Sequence, residues 1–177
     1  TLGALGRNTV ALERSVEFRG SAARPFTTAL RFTICNMTAE FGGLNGIFEA
    51  DGVTADWLAH RRRSYHDSAL YFRADDDAPY VARYPIQLDQ LAPQVAKPFS
   101  PDNVYDVTDL AGQKLDGAFI GACTTTEEEL ALAGLVLEAA LADGHTPQEM
   151  PAGRRIAVPG DLLIQKNLEK AGIWEIY

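Results

Sequence analysis

Two patterns of apolar positions recur along the 177-residue chain. "SVEFRG" (15–20) alternates apolar and polar side chains and ends in Gly, which predicts a short strand. In the following stretch, Leu30, Ile34, Met37 and Phe41 recur at spacings of four, three and four, a helical stripe closed by Gly42 and Gly43. That spacing predicts a well-buried helix. "TADWLAHRRRSY" (54–65) reads as a second helix, with Thr54 as its N-cap and Arg61, Arg62 and Arg63 near its C-terminus, where cations suit the helix dipole. Asp75 to Pro79 make a turn, and "YVARYPIQL" (80–88) is strand-like, with Pro85 placing it toward an edge. "LAPQVAKPFSPDN" (91–103) holds three prolines and little apolar period, the composition of a semi-rigid connector. Beyond it come "LDGAFIGAC" (115–123) as a buried strand, a helix from Glu127 to about Ala142, "RRIAVPG" (154–160) as a strand, and a helix from about Leu162 to Ala171. Strand, helix, strand, helix at these lengths predicts βαβ units on a parallel sheet, hence an α/β protein with a boundary that makes 1–95 one domain and 96–177 another.

Composition narrows the classes. Apolar residues make up 46% and charged residues 23%, the proportions of a globular protein, and no stretch approaches the roughly 20 apolar residues of a membrane span. A formal charge of -8 argues against sequence-independent nucleic-acid binding, which depends on Lys and Arg neutralising phosphates. An anionic substrate would need a local positive patch. Neither Cys35 nor Cys123 sits in a Cys-x-x-Cys pair, so reduced thiols are expected in place of a disulfide framework or a structural zinc site. The start lacks an initiator Met and a secretory apolar core, and the end falls within a helical pattern. Together these lead to the expectation of a piece of a longer polypeptide, with N-terminal processing an alternative account of the first feature.

Two places concentrate chemistry. Thr126 followed by Glu129 has the spacing of a capping box, so a helix begins directly after Thr124, Thr125 and Thr126, and Cys123 lies between a strand's C-terminal end and a helix N-terminus. Open α/β sheets place ligand sites there, because strand ends leave a crevice and the helix start offers unpaired N–H groups. A thiolate in that position suits a nucleophile or a metal ligand. The alternative is a small buried residue finishing a hydrophobic strand. A cysteine-nucleophile enzyme would need His60, His66 or His145 alongside, and none lies in a motif that brings it there; His145 reads as a loop residue. The second place is "TICNMTAEFGG", where Asn36 and Glu40, four apart, share a helical face beside the apolar stripe. They are either functional polar groups or the solvated edge of an amphipathic helix.

"RFTICNMTAEFGGLNGIFEAD", followed some eighty residues later by "LDGAFIGACTTTEEELALAGLVLEAAL", resembles the aconitase superfamily of iron–sulfur hydro-lyases, and is most similar to the homoaconitase and isopropylmalate isomerase large-subunit type. "APQVAKPFSPDNV" and "VPGDLLIQKNLEKAGI" resemble the connecting and following segments in the same order, so the likeness covers nearly the whole chain. The resemblance implies three-layer α/β/α lobes with mostly parallel sheet, two of them present and truncated. It also implies isomerisation of a hydroxy-di- or tricarboxylate by dehydration and rehydration on a 4Fe–4S cluster held by three cysteines. By the same likeness Cys123 corresponds to the first cluster cysteine, Asn36 and Glu40 to catalytic residues at the open iron, and Thr125 to a substrate contact. The family's usual Asn is replaced there by a hydroxyl, and Asp161 stands where the family typically has Ser.

The remaining cluster cysteines are expected past Tyr177 and further catalytic blocks before Thr1, so no cluster is expected in these residues alone, and Cys35 is expected to serve packing. Implied partners are the small carboxylate substrate and the remaining domains or a small subunit, with no nucleic acid and no membrane; the expected compartment is the cytoplasm or the mitochondrial matrix. The competing hypothesis is a stand-alone, non-catalytic binding or assembly domain on the same scaffold. The Arg61–Arg63 run is read as a solvated helix end in preference to a carboxylate patch.

Overall fold

The computed structural model describes residues 1–61, 72–147, 149, 151 and 153–177. The chain divides into two compact units, Thr1–Ala111 and Gly112–Tyr177. Both contain a parallel strand pair joined through a helix, so the protein is α/β. No helix among the described residues is long and apolar enough to cross a membrane.

In the first unit, a short helix α1 (Leu2–Leu5) precedes β1 (Ser15–Glu17), α2 (Thr28–Asn36), β2 (Asn45–Ile47) and α3 (Gly52–His60). β1 and β2 pair in parallel, Ser15 opposite Asn45 and Glu17 opposite Ile47, with α2 as the crossover that parallel pairing requires. Thr27 caps α2, its hydroxyl accepting from the Leu30 N–H at 3.2 Å. The helix then tightens into a 3-10 stretch, Met37–Phe41, and stops at Gly42 in the left-handed conformation, φ 85°.

The face that α2 buries differs from the one its apolar spacing predicts. Leu30 and Met37 are 38% and 40% exposed, and only Phe41 of that stripe is buried. The buried line runs instead through Thr28, Arg31 and Thr38, with Cys35 half-buried between them, at spacings of three, four and three. A hydrophobic count cannot find such a line because its members are polar or small. It is tolerable because its polar groups are largely bonded: Thr38 Oγ1 donates to the Ile34 carbonyl at 3.4 Å, and the Arg31 guanidinium has protein acceptors on every side.

Three further expectations change in this unit. The N-cap of α3 is Asp51, whose carboxylate accepts from the Thr54 N–H at 3.2 Å, so Thr54 lies inside the helix. The helix ends at His60 with Arg61 as its C-cap; the predicted tail of that helix, with Arg62, Arg63 and His66, lies outside the described residues. Residues 80–88 form no strand: Val81, Tyr84 and Ile86 are exposed and no strand among the described residues pairs with them, and β propensity without a partner leaves irregular backbone. The strands in this region lie in the proline-rich segment, where β3 (Gln94–Ala96) pairs antiparallel with β4 (Val104–Asp106). Pro93, Pro98 and Pro101 flank these three-residue strands without interrupting them. The predicted turn at 75–79 is present, closed by the Ala78 N–H on the Asp75 carbonyl.

The second unit runs β5 (Ala118–Gly121), α4 (Glu127–Ala142), β6 (Arg155–Val158), α5 (Leu162–Lys170) and a final 3-10 turn, Trp174–Ile176. β5 and β6 pair in parallel, Ala118 opposite Arg155 and Gly121 opposite Val158. Leu130 of α4 and Leu168 of α5 are fully buried where the two helices meet the last turn, and the Tyr177 hydroxyl donates to the Leu130 carbonyl at 2.6 Å. The apolar run 115–123 predicts a buried strand, but Phe119 within β5 is 62% exposed and Leu115 before it is also exposed. A two-stranded pair covers only part of its own surface.

Candidate functional site

Cys123 sits in the turn that follows β5. Gly121 ends the strand at φ 146°, and a Cβ there would fall 2.3 Å from the Val158 carbonyl oxygen, so the close approach of β5 to β6 requires glycine. The chain then turns, with the Thr125 N–H donating to the Ala122 carbonyl at 3.1 Å, and Cys123 lies within that turn with an exposed, free thiol. It does not finish a buried strand. Thr126 and Glu129 form the predicted capping box: the Thr126 hydroxyl accepts from the Glu129 N–H at 3.3 Å and Glu129 Oε2 accepts from the Thr126 N–H at 3.0 Å. This pins the turn to the first turn of α4.

The loop after β6 lies against the same turn. A Cβ on Gly160 would come within 2.7 Å of the Thr125 carbonyl oxygen, so the two loops touch backbone to side. Asp161 caps α5, its Oδ1 accepting from the Leu163 N–H at 2.6 Å and the Ile164 N–H at 3.0 Å. The N-termini of α4 and α5 therefore start together at the C-terminal edge of the strand pair, with Cys123 and half-buried Thr125 between a strand end and a helix start. Glu127, Glu128 and Glu129 occupy the first turn of α4 and offset the positive end of its dipole. Glu129 is engaged in the cap, and Glu127 accepts from Asn167 Nδ2 at 2.7 Å, which ties α4 to α5.

Asn36 and Glu40 lie in the first unit. Asn36 is the last residue of α2, and Glu40 falls in the 3-10 stretch that follows; both are exposed, on either side of fully buried Thr38. At three residues per turn a four-residue step rotates about 120°, against about 40° in an α-helix, so the two project from one stretch without sharing a single face. Cys35, beside Asn36, is half-buried, and burial pushes its thiol up against the opposing effect of a backbone hydrogen bond at Phe48. That direction makes the sulfur a poorer thiolate, and so a poorer metal ligand. Thus the structure holds Asn36 with Glu40 in one unit and Cys123 with Thr125 in the other.

A 4Fe–4S cluster takes cysteine thiolates as ligands, three of them in the arrangement expected here. The chain has two cysteines, one of them the buried-side Cys35, and among the described residues no three His, Cys, Asp or Glu side chains gather to hold a metal ion. These residues by themselves do not fit the cluster. What they present is one exposed sulfur in the turn that follows β5.

Sequence reasoning passed over Arg31 and Asp51, which brace the helix bearing Asn36. The signal was present as an arginine one turn into α2 and an acid at the start of α3, but pairing across twenty residues is not legible in a local pattern.

A model of the aconitase family (aconitate hydratase) matches residues 1–114. The chain is 45% identical over 174 residues to an aconitase of Aspergillus rugulosus, covering 98% of this chain and 20% of that protein. It is 44% identical to a 3-isopropylmalate dehydratase large subunit of Glarea lozoyensis, covering 98% of this chain and 19% of that protein. A 3-isopropylmalate dehydratase large subunit of Aquifex aeolicus is 35% identical over 178 residues, the whole of this chain and 40% of that protein. The chain thus spans 19% to 40% of the length of these relatives.

Proposed function

The chain belongs to the aconitase family, and on that footing we propose that it supplies two elements of a hydro-lyase site acting on a small hydroxy-di- or tricarboxylate. Identity of 35–45% across nearly the whole chain, extending through both the Asn36–Glu40 block and the Cys123 turn, carries this reading. In such a reaction a C–H proton and the hydroxyl of the neighbouring carbon leave as water, a C=C bond forms, and water re-adds across it. That chemistry needs a group to carry protons and a donor–acceptor pair to hold the hydroxyl. The Glu40 carboxylate fits the first role, and the Asn36 amide, two donors and an acceptor, fits the second. The Thr125 hydroxyl, beside the start of α4, suits a substrate carboxylate. Cys123 is assigned as one of three cysteine ligands of a 4Fe–4S cluster, the other two coming from residues outside this chain; the cluster would supply a Lewis-acid iron. The partner in this reading is the remaining domains of the protein, or a small subunit of the kind that the relatives' name "large subunit" entails.

The test is anaerobic reconstitution of the protein expressed from its complete reading frame, with iron, sulfide and visible absorbance measured. A cluster is expected, lost in Cys123→Ala, and absent from residues 1–177 alone. A cluster of full stoichiometry in the Cys123→Ala protein would overturn the assignment. A complete protein that ends at Tyr177 and takes up no iron would favour the stand-alone binding domain.

A further inference from the structure

Arg31 is 5% exposed, yet every one of its five N–H bonds has an acceptor within the first unit. Nε donates to the Phe26 carbonyl at 3.1 Å. Nη1 donates to Asp51 Oδ1 at 2.8 Å and reaches Thr54 Oγ1 at 3.5 Å, while Nη2 donates to Asp51 Oδ2 at 2.8 Å and to the Arg24 carbonyl at 3.0 Å. The guanidinium also lies over the Phe48 ring, 5.6 Å from its centroid. One side chain therefore joins the loop entering α2, the segment leaving β2 and the capped start of α3. Asp51 meets it bidentately while capping α3, so the carboxylate cannot shift to follow a displaced arginine without releasing the Thr54 N–H.

This geometry fixes the roll of α2 about its own axis. Asn36 stands five residues beyond Arg31, about 140° around the helix, so the anchored side and the exposed amide face nearly opposite ways. A roll of 10–20° that the fork-shaped clamp forbids would swing the amide off its reacting geometry, the tolerance within which a catalytic constellation must be held. We propose that Arg31, clamped by Asp51, is a positioning residue that sets the orientation of Asn36 and of the Glu40 turn beyond it. The proposal rests on the reading that Asn36 and Glu40 serve the reacting centre. Lysine keeps the charge but has no planar fork, and so cannot hold two carboxylate oxygens and two carbonyls at once.

The experiment uses the protein from its complete reading frame, reconstituted and assayed with the hydroxy-carboxylate it turns over, at least 20 °C below the lowest melting temperature in the series. Arg31→Lys is expected to lower kcat by 10- to 100-fold with KM within about twofold, since a small misplacement of a catalytic group reaches that size. In an Asn36→Ala background the same change is expected to lower kcat by less than threefold, because the group it positions is already gone. Wild-type kcat in Arg31→Lys, or losses that multiply in the double variant, would overturn the proposal while leaving Asn36 and Glu40 in place. Full activity in Asn36→Ala and Glu40→Gln would instead remove the reading beneath it. Should Arg31→Lys fold poorly, Asp51→Asn, which keeps the cap and weakens the clamp, gives the same comparison.

Discussion

Asp51 has two duties at one carboxylate. It accepts from Arg31 and from the first turn of α3, and the Arg31 hydrogen bond, the largest influence, holds its carboxyl below the usual range; burial opposes it, and the backbone bonds of that turn and the Arg31 charge add to the lowering. A carboxyl depressed in the folded state contributes stability that is fully present above its unfolded pKa of about 3.9 and is lost as pH falls below that value toward the folded one. The Asp51 side chain is 39% exposed, so solvent screening discounts the ion pair, and loss of the cap sets the floor. Asp51→Ala is accordingly expected to cost about 2 kcal/mol at pH 7, from the cap and the orphaned Arg31 donors together. Chemical denaturation at pH 7 and again near pH 3 checks this, with the gap between wild type and variant narrowing at the lower pH. A gap independent of pH would place the effect in packing and not in the ionised carboxylate.

Among the elements, α4 was the most legible in sequence, because its boundary signals are local: Thr126 and Glu129 name the start, and both reciprocal bonds are present. Thr126→Ala should destabilise the protein by about 1 kcal/mol and speed hydrogen exchange at the Glu129 amide, the donor left without its acceptor. Unchanged exchange there would mean that Glu129 alone holds the turn around Cys123. The two parallel crossovers show the same local legibility only in part. β5, α4, β6 and α5 follow from periodicity and length, while in β1–α2–β2 the sequence shows the first strand and the helix but not β2, because a three-residue strand carries almost no pattern. The buried side of α2 departs from its apolar spacing for a physical reason. Its inward line of Thr28, Arg31 and Thr38 is stable through hydrogen bonds made to residues distant in sequence, and hydrophobic spacing reports only burial driven by apolar area. The strand expected at 80–88 fails for the converse reason, since its β-forming residues find no strand to pair with among the described residues. At the candidate site, residue types and their order along the chain were legible from the motif blocks. The brace behind Asn36 was not, because it exists only once α2 and α3 have met.

For the whole molecule, charge decides what the chain does not attract. Sixteen Lys and Arg against twenty-four Asp and Glu leave a formal charge of -8. Duplex binding gains its free energy from counterions released as cationic side chains neutralise phosphates, so it requires several basic groups on one face held clear of acids. Among the described residues, Arg31 is engaged with Asp51, Arg19 with Glu17 and Glu49, and Arg61 lies over the Trp57 ring at 3.7 Å. The runs Asp75–Asp77 and Glu127–Glu129 add negative field on separate units. No shift of a labelled 20-base-pair duplex is therefore expected at 10 μM protein and 50 mM salt, a condition chosen because low salt strengthens any phosphate contact. Retention that weakens steeply between 50 and 200 mM salt would reveal a basic face that net charge conceals, with Arg62 and Arg63 the first residues to replace by alanine. The same balance bears on the proposed carboxylate substrate. A net negative charge gives an anion no long-range attraction, so close-range groups gain weight, among them the roles proposed above for Asn36 and for Thr125.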